Sequence, residues 1–285
     1  MKEKTSLKNK AICGIFWSAV ERFLSQGIQF VVTVIMARFL LPSDYGMVGM
    51  LAIVLQLSQT LMDSGFTNAL IRYKERTEID YSTVFFFNIL ASLVIYFLIF
   101  FLAPYISWFY KIGQLVEITR ILSIVIVLNS FAIIPKTKLI IAVDFKTQSK
   151  VSFIAALVSG IIGIWAAYLD FGVWALVGQT LVNGLLIVVL YAYFCRWKPL
   201  WIFSLKSFRL LFAFGSKLVL ANILNTLYKN LYAIVIGKKF SSVDLGFYTR
   251  AEQFAQFPSY NLSAIISRVT YPILSLVQKI GRAHV

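Results

Sequence analysis

The chain has 285 residues, 59% of them hydrophobic and only 14% charged, with a formal net charge of +15. Soluble domains are about 45–50% apolar and about 25% charged, so this composition excludes an ordinary water-soluble fold. The basic excess then has two readings, nucleic-acid binding or loops that hold orientation in a membrane, and the position of each charge chooses between them.

A helix that crosses the hydrocarbon of a bilayer needs about 20 mostly apolar residues. In chain order, candidate spans lie at Ala11–Met36, Tyr45–Met62, Val84–Ala103, Ile118–Ile134, Val151–Leu169, Val173–Phe194, Leu210–Ile236 and Phe247–Ile266. The first carries Glu21 and Arg22 and runs past any small-residue cleavage site, so it is expected to remain as a span rather than be removed as a signal peptide. Glu117, Arg120, Arg250 and Glu252 fall at the ends of the fourth and eighth. All connections are short and none is rich in Gly, Ser or Pro, which leaves no room for a soluble domain. The fold class expected is all-α, a polytopic transmembrane helical bundle.

The connections alternate in charge. Lys2, Lys4, Lys8 and Lys10, then Arg72, Lys74 and Arg76, then Lys136, Lys138, Lys146 and Lys150, then Arg196, Lys198, Lys206 and Arg209 fall on one side. The other side holds Arg38, Lys111, Arg120, Lys238 and Lys239. Fifteen basic residues against five place the N-terminus and even-numbered loops in the cytoplasm, and nucleic acid is not needed to explain the charge. Cys13 and Cys195 sit in or beside apolar runs without a second ligand at metal spacing and read as small hydrophobes, so neither metal nor cofactor is expected. Residues 280–285, Ile-Gly-Arg-Ala-His-Val, resemble an in-frame translation of a sequencing adapter and are expected to be a non-native tail, His284 included.

Two spans carry polar stripes. Ser18, Arg22, Ser25, Gln26, Gln29 and Thr33 share one face of the first, with Arg22 at mid-membrane. Lys217, Asn222, Asn225, Thr226 and Lys229 run mostly along one face of the seventh. A central Arg costs about 2.5–3.5 kcal/mol to insert, so a water-filled cavity or an anionic partner is expected to compensate it. Helix-to-helix hydrogen bonding is the alternative for the Ser, Asn and Gln residues, and a static pair between Glu21 and Lys217 is the alternative for the cations. The candidate substrate-binding residues are Arg22, Gln26, Gln29, Lys217, Asn222, Asn225 and Lys229.

A weak internal repeat at an offset of 200 residues supports the cavity. It aligns 37–46 with 237–246, pairs Asp44-Tyr45-Gly46 with Asp244-Leu245-Gly246, and sets Arg22 on Asn222, Gln26 on Thr226 and Gln29 on Lys229. Six spans between copies return the chain to the same side, which gives parallel repeats. The organisation expected is a six-helix lobe over 1–205 and the first two helices of a second over 206–279, facing a shared cavity. Asp44 and Asp244 are expected to cap the helices that follow, with Gly46 and Gly246 allowing close packing. Asp63 with Gly65 reads as a helix end. The six tryptophans fall mostly near span ends and read as interface anchors.

Gly14-Ile15-Phe16-Trp17-Ser18 with Glu21-Arg22 and Gln26, Ala37 through Gly46, Asp63-Ser64-Gly65-Phe66 before Ala69-Leu70-Ile71-Arg72, Gly172 through Val177, and Gly237-Lys238-Lys239-Phe240 through Leu245 to Ala251 form a set. Together they resemble the polysaccharide transporter family, the Wzx-like flippases of the MOP superfamily, over residues 8–279. The resemblance implies translocation of undecaprenyl-pyrophosphate-linked oligosaccharide across the bacterial inner membrane by alternating access of two lobes, for surface polysaccharide or lipopolysaccharide biosynthesis. Relatives of this kind usually have twelve to fourteen spans, so this chain would supply one lobe and the opening of the next. The expected partners are a lipid-linked oligosaccharide and membrane lipids, with proton or sodium coupling left open. A MATE-type exporter or lipid II flippase is the nearest alternative, although export of cations favours acidic cavities and the spans here hold more cations than carboxylates. A membrane-embedded acyltransferase needs a general base such as His, and a polymerase needs a large outer loop; the sequence offers only His284 and short loops. A transporter rather than an enzyme is expected.

Overall fold

The computed structural model describes residues 27–63, 65–73, 75–252 and 255, with the backbone alone at 63 and 213–218. Its helices are α1 (Gly27–Met36), α2 (Pro42–Asp63), α3 (Phe66–Arg72), α4 (Glu78–Tyr110), α5 (Leu115–Leu122), α6 (Ile124–Ile141), α7 (Phe145–Tyr168), α8 (Val173–Cys195), α9 (Leu205–Lys239) and α10 (242–252). No strand occurs among the described residues. Six segments are long and apolar enough to cross a membrane: Pro42–Arg72, Glu78–Tyr110, Leu115–Ile141, Phe145–Tyr168, Val173–Cys195 and Val219–Lys239. The protein is a polytopic transmembrane helical bundle. Most of the first candidate span, most of the eighth, and the 280–285 tail lie outside the described residues.

Apolar runs make these segments helical, and caps decide where the chain turns. Thr77 and Asp80 form a reciprocal capping box that starts α4 six residues ahead of the expected Val84. Asp144 accepts from the Thr147 amide at 3.1 Å to start α7, and Ser204 accepts from the Ser207 amide at 3.2 Å to start α9. Exits through left-handed backbone follow at Lys111 after α4 and Arg196 after α8. At 33 residues α4 is about 50 Å long, well beyond about 30 Å of hydrocarbon.

Three expectations shift. The fourth span is two helices, α5 and α6, that meet at Ser123, and it begins at Leu115, so Glu117 and Arg120 lie within a helix rather than at the span's end, and Arg120 is not a loop charge. Arg120 lies 4.3 Å from the Phe100 ring centroid, which gives its charge an aromatic face. Asp44 and Asp244 sit three residues beyond the cap positions: Asp44 accepts from the Leu41 amide, and Asp244 accepts from both the Ser241 amide and hydroxyl while Ser241 caps Asp244 in return. Both aspartates still satisfy free amides, by reaching back rather than forward.

The interior is built by α4, α6, α7 and α8 packed side by side, with α5 over one end and α2 between α8 and α9. Small residues set the spacing: a Cβ on Gly163 of α7 would press on the Gln179 side chain of α8. Met62, Phe66, Leu70, Val84 and Ile134 fill one cluster, and Met50, Leu51, Leu115, Ile118 and Val177 another nearer the opposite end. Polar side chains are absorbed locally, as where Ser92 donates to Ser130 at 3.2 Å between α4 and α6.

The alternating loops are gathered at two ends. At one, Lys138 is paired with Glu78, Trp197 donates to the same carboxylate, and the amides of Leu200 and Ser204 donate to Ser82 and Thr83. At the other, Lys238 reaches the Phe109 carbonyl, and the starts of α2 and α10 meet. The basic loops around Arg76, Lys138 and Arg196 therefore share one end of the bundle.

Candidate functional site

Antiparallel α2 and α9 are joined through polar side chains at membrane depth. Thr60 and Thr226 share a hydrogen bond of 3.1 Å, and Asn230 donates to Gln56 at 2.8 Å. Gln56, Gln59 and Thr60 lie at i, i+3 and i+4, which puts all three on one face of α2. Asn129 of α6 donates to Gln59 at 3.1 Å and ties that face back to the bundle.

Beside this seam lies a cavity of about 1200 Å³, larger than the roughly 300–1,000 Å³ of small-molecule sites. Gln56, Gln59 and Thr60 line it from α2, Asn222, Asn225, Thr226, Lys229 and Asn230 from α9, and Tyr248, Arg250 and Glu252 from α10. Amides and hydroxyls present donors and acceptors for a ligand rich in hydroxyls. Lys229 and Arg250 add positive charge in surroundings where a unit pair at 4 Å is worth about 4 kcal/mol at an effective dielectric of 20. Arg250 lies 3.9 Å from the centroid of the Tyr45 ring, and Tyr45 is buried with its hydroxyl unpartnered among the described residues.

Of the residues singled out from the sequence, Asn222, Asn225 and Lys229 come together on this cavity. Lys217 is on α9, but its side chain lies outside the described residues, as do Arg22 and Gln26 altogether. Gln29 is exposed on α1, outside the cavity lining; α1 instead packs Val32 and Met36 near Ala167, Ala175 and Leu176. The α2 face was missed, although the same polar spacing that marks the first and seventh spans is present at Gln56, Gln59 and Thr60. Arg250 was read as a span end; its role as cavity lining depends on α10 folding back across α2, which spacing alone does not show.

The fold and site are those of a polytopic membrane protein with a large cavity, lined in part by polar side chains, between its helices. Residues 35–283 match the family described as polysaccharide biosynthesis protein, and the chain belongs to that family. It is 26% identical over 272 residues to the teichuronic acid biosynthesis protein TuaB of Bacillus subtilis, covering 95% of this chain and 56% of that protein. It is 27% identical over 281 residues to the lipopolysaccharide biosynthesis protein WzxC of Escherichia coli, covering 96% and 56%. With the succinoglycan biosynthesis transport protein ExoT of Rhizobium meliloti it shares 26% over 257 residues, 90% and 52%. The chain thus spans little more than half the length of these curated relatives. No solved structure matches it.

Proposed function

We propose that the protein of which this chain is the sequence, or a part, is a flippase that carries undecaprenyl-pyrophosphate-linked oligosaccharide across the bacterial inner membrane. The observation that carries the reading is the cavity, in which Asn222, Asn225 and Gln56 offer hydrogen bonds and Lys229 and Arg250 offer charge within otherwise apolar spans. In this reading Arg22, Lys217 and Lys229, now joined by Arg250, attract the pyrophosphate, while Gln26, Asn222 and Asn225 hold the glycan; Gln29, which lies outside the cavity lining, is left out of it. The lipid tail stays in the bilayer between a lobe over 1–205 and a second beginning at 206. The N-terminus and basic end face the cytoplasm, and the protein acts by transport without catalysis. The named roles of its relatives in polysaccharide biosynthesis and transport support the assignment.

The test is complementation of a host lacking the gene, scored for surface polysaccharide and for membrane abundance. Arg22→Ala and Lys229→Ala are expected to lower export at wild-type abundance, and Arg22→Lys to lose less, since it keeps the charge and gives up only the bidentate fork. Normal export by both alanine variants at native abundance removes the cationic cavity from the mechanism.

A further inference from the structure

The joint between α5 and α6 has a local cause. Ser123 donates its hydroxyl to the Arg120 carbonyl three residues back at 3.0 Å, and a serine that bonds back onto its own helix loosens and bends it. Thr119 stands four residues before Ser123, so the two hydroxyls fall on one face. That face is turned inward, with Thr119 3% exposed and Ser123 1%. Every other buried serine and threonine among the described residues donates to a backbone carbonyl, Ser123 included. Thr119 alone does not, and its Oγ1 has no hydrogen-bond partner among those residues.

Beside this face lies a small pocket with about 10 Å³ open to the centre of a water molecule. Leu51 and Leu55 of α2, Ile99 of α4 and Leu122 of α5 wall it, and Thr119 and Ser123 are its polar residues. None of the α2 residues that line it lines the large cavity, so the two spaces are separate sites. A hydroxyl kept dry without a partner is destabilising, and one water relieves it wherever about 10–15 Å³ and two to four polar partners are on hand. The pocket meets the lower bound of both. Thr119 has its donor and its acceptors unused, and the Ser123 oxygen keeps lone pairs after donating to Arg120. No carboxylate lines the pocket, which leaves no charge to hold a cation.

We infer that this pocket is a binding site for one internal water, held between the hydroxyls of Thr119 and Ser123 where α5 joins α6. The water satisfies Thr119 and fills the gap that the bend opens between α5, α2 and α4. The site stands independently of the transport reading above.

The test exposes the purified intact protein to a short X-ray pulse. Radiolysis makes hydroxyl radicals from water where it sits, so buried side chains beside a bound water are oxidised and equally buried ones away from water are spared. Leu51 and Leu122, at 2% and 1% exposed, are expected to be oxidised several-fold more than Leu115 and Ile118, both 0% exposed and absent from the pocket wall. Thr119→Val keeps the shape and removes the hydroxyl; it is expected to abolish the excess and lower the melting temperature, while Thr119→Ser retains the excess. Oxidation of Leu51 and Leu122 no greater than that of Leu115 and Ile118 overturns the site, as does an excess that survives Thr119→Val. A melting temperature raised by Thr119→Val overturns it too, since removing a dry, unpartnered hydroxyl is what stabilises. Should Thr119→Val fail to accumulate, the wild-type comparison decides alone.

Discussion

Glu78 gathers Lys138 at 2.7 Å and Trp197 at 2.8 Å, and the Lys138 ammonium also lies 4.7 Å from the centroid of the Tyr81 ring. With 53% of the Glu78 side chain exposed, water screens the pair, so Lys138→Met is expected to cost less than about 1 kcal/mol in a detergent melt. Asn88 is the opposite case. It is fully buried on α4, and neither amide atom has a partner among the described residues. Replacing such a group by an apolar one of similar shape is close to neutral or stabilising, so Asn88→Leu is expected to hold or raise the melting temperature. A drop of several degrees at unchanged helicity would mean that the amide has a structural partner. Neither role is legible in sequence: Asn88 stands in an apolar run like any other break, and only the tertiary packing around α4 removes it from water.

Among the helices, α10 depends most visibly on its cap. The Ser241 hydroxyl and then its amide hold the Asp244 carboxylate below its ordinary pKa of 3.8. A depressed folded pKa contributes stability above the unfolded value, and the contribution disappears as pH falls through the lower folded value. The difference in melting temperature between wild type and Asp244→Asn is therefore expected near neutral pH and should vanish at pH values well below 3.8. A difference independent of pH would assign it to something other than the charge. Apolar length located the second to seventh spans, those the described residues cover, because hydrocarbon thickness imposes it directly. Caps and breaks were read less well. The expected start at Val84 omits the charged residues ahead of it, yet Asp80 is half of the box with Thr77 that begins α4. The break at Ser123 is a single residue inside an apolar run, with no Gly or Pro to announce it.

For the whole molecule, the charge alternation read from sequence corresponds to two physical ends, one of them holding the basic loops around Arg76, Lys138 and Arg196. Cysteines introduced at Lys74, Lys146 and Lys206 are expected to resist an impermeant reagent added outside the cell, and clear labelling at Lys146 would invert the orientation. The cavity was half legible: the α9 stripe points to it, whereas α2 and α10 enter through tertiary placement. The segment between α8 and α9 has a mechanical consequence. Its Trp197, Leu200 and Ser204 are strapped to the start of α4, so α9 is pinned at its first turn and carried 35 residues away from it. A rod about 52 Å long, hinged at one end, swings its tip about 9 Å for a tilt of about 10°. A rotation of that size at Ser204 would have to break the Thr60–Thr226, Gln56–Asn230 and Lys238–Phe109 contacts that hold α9 along its length, so these contacts set its stiffness.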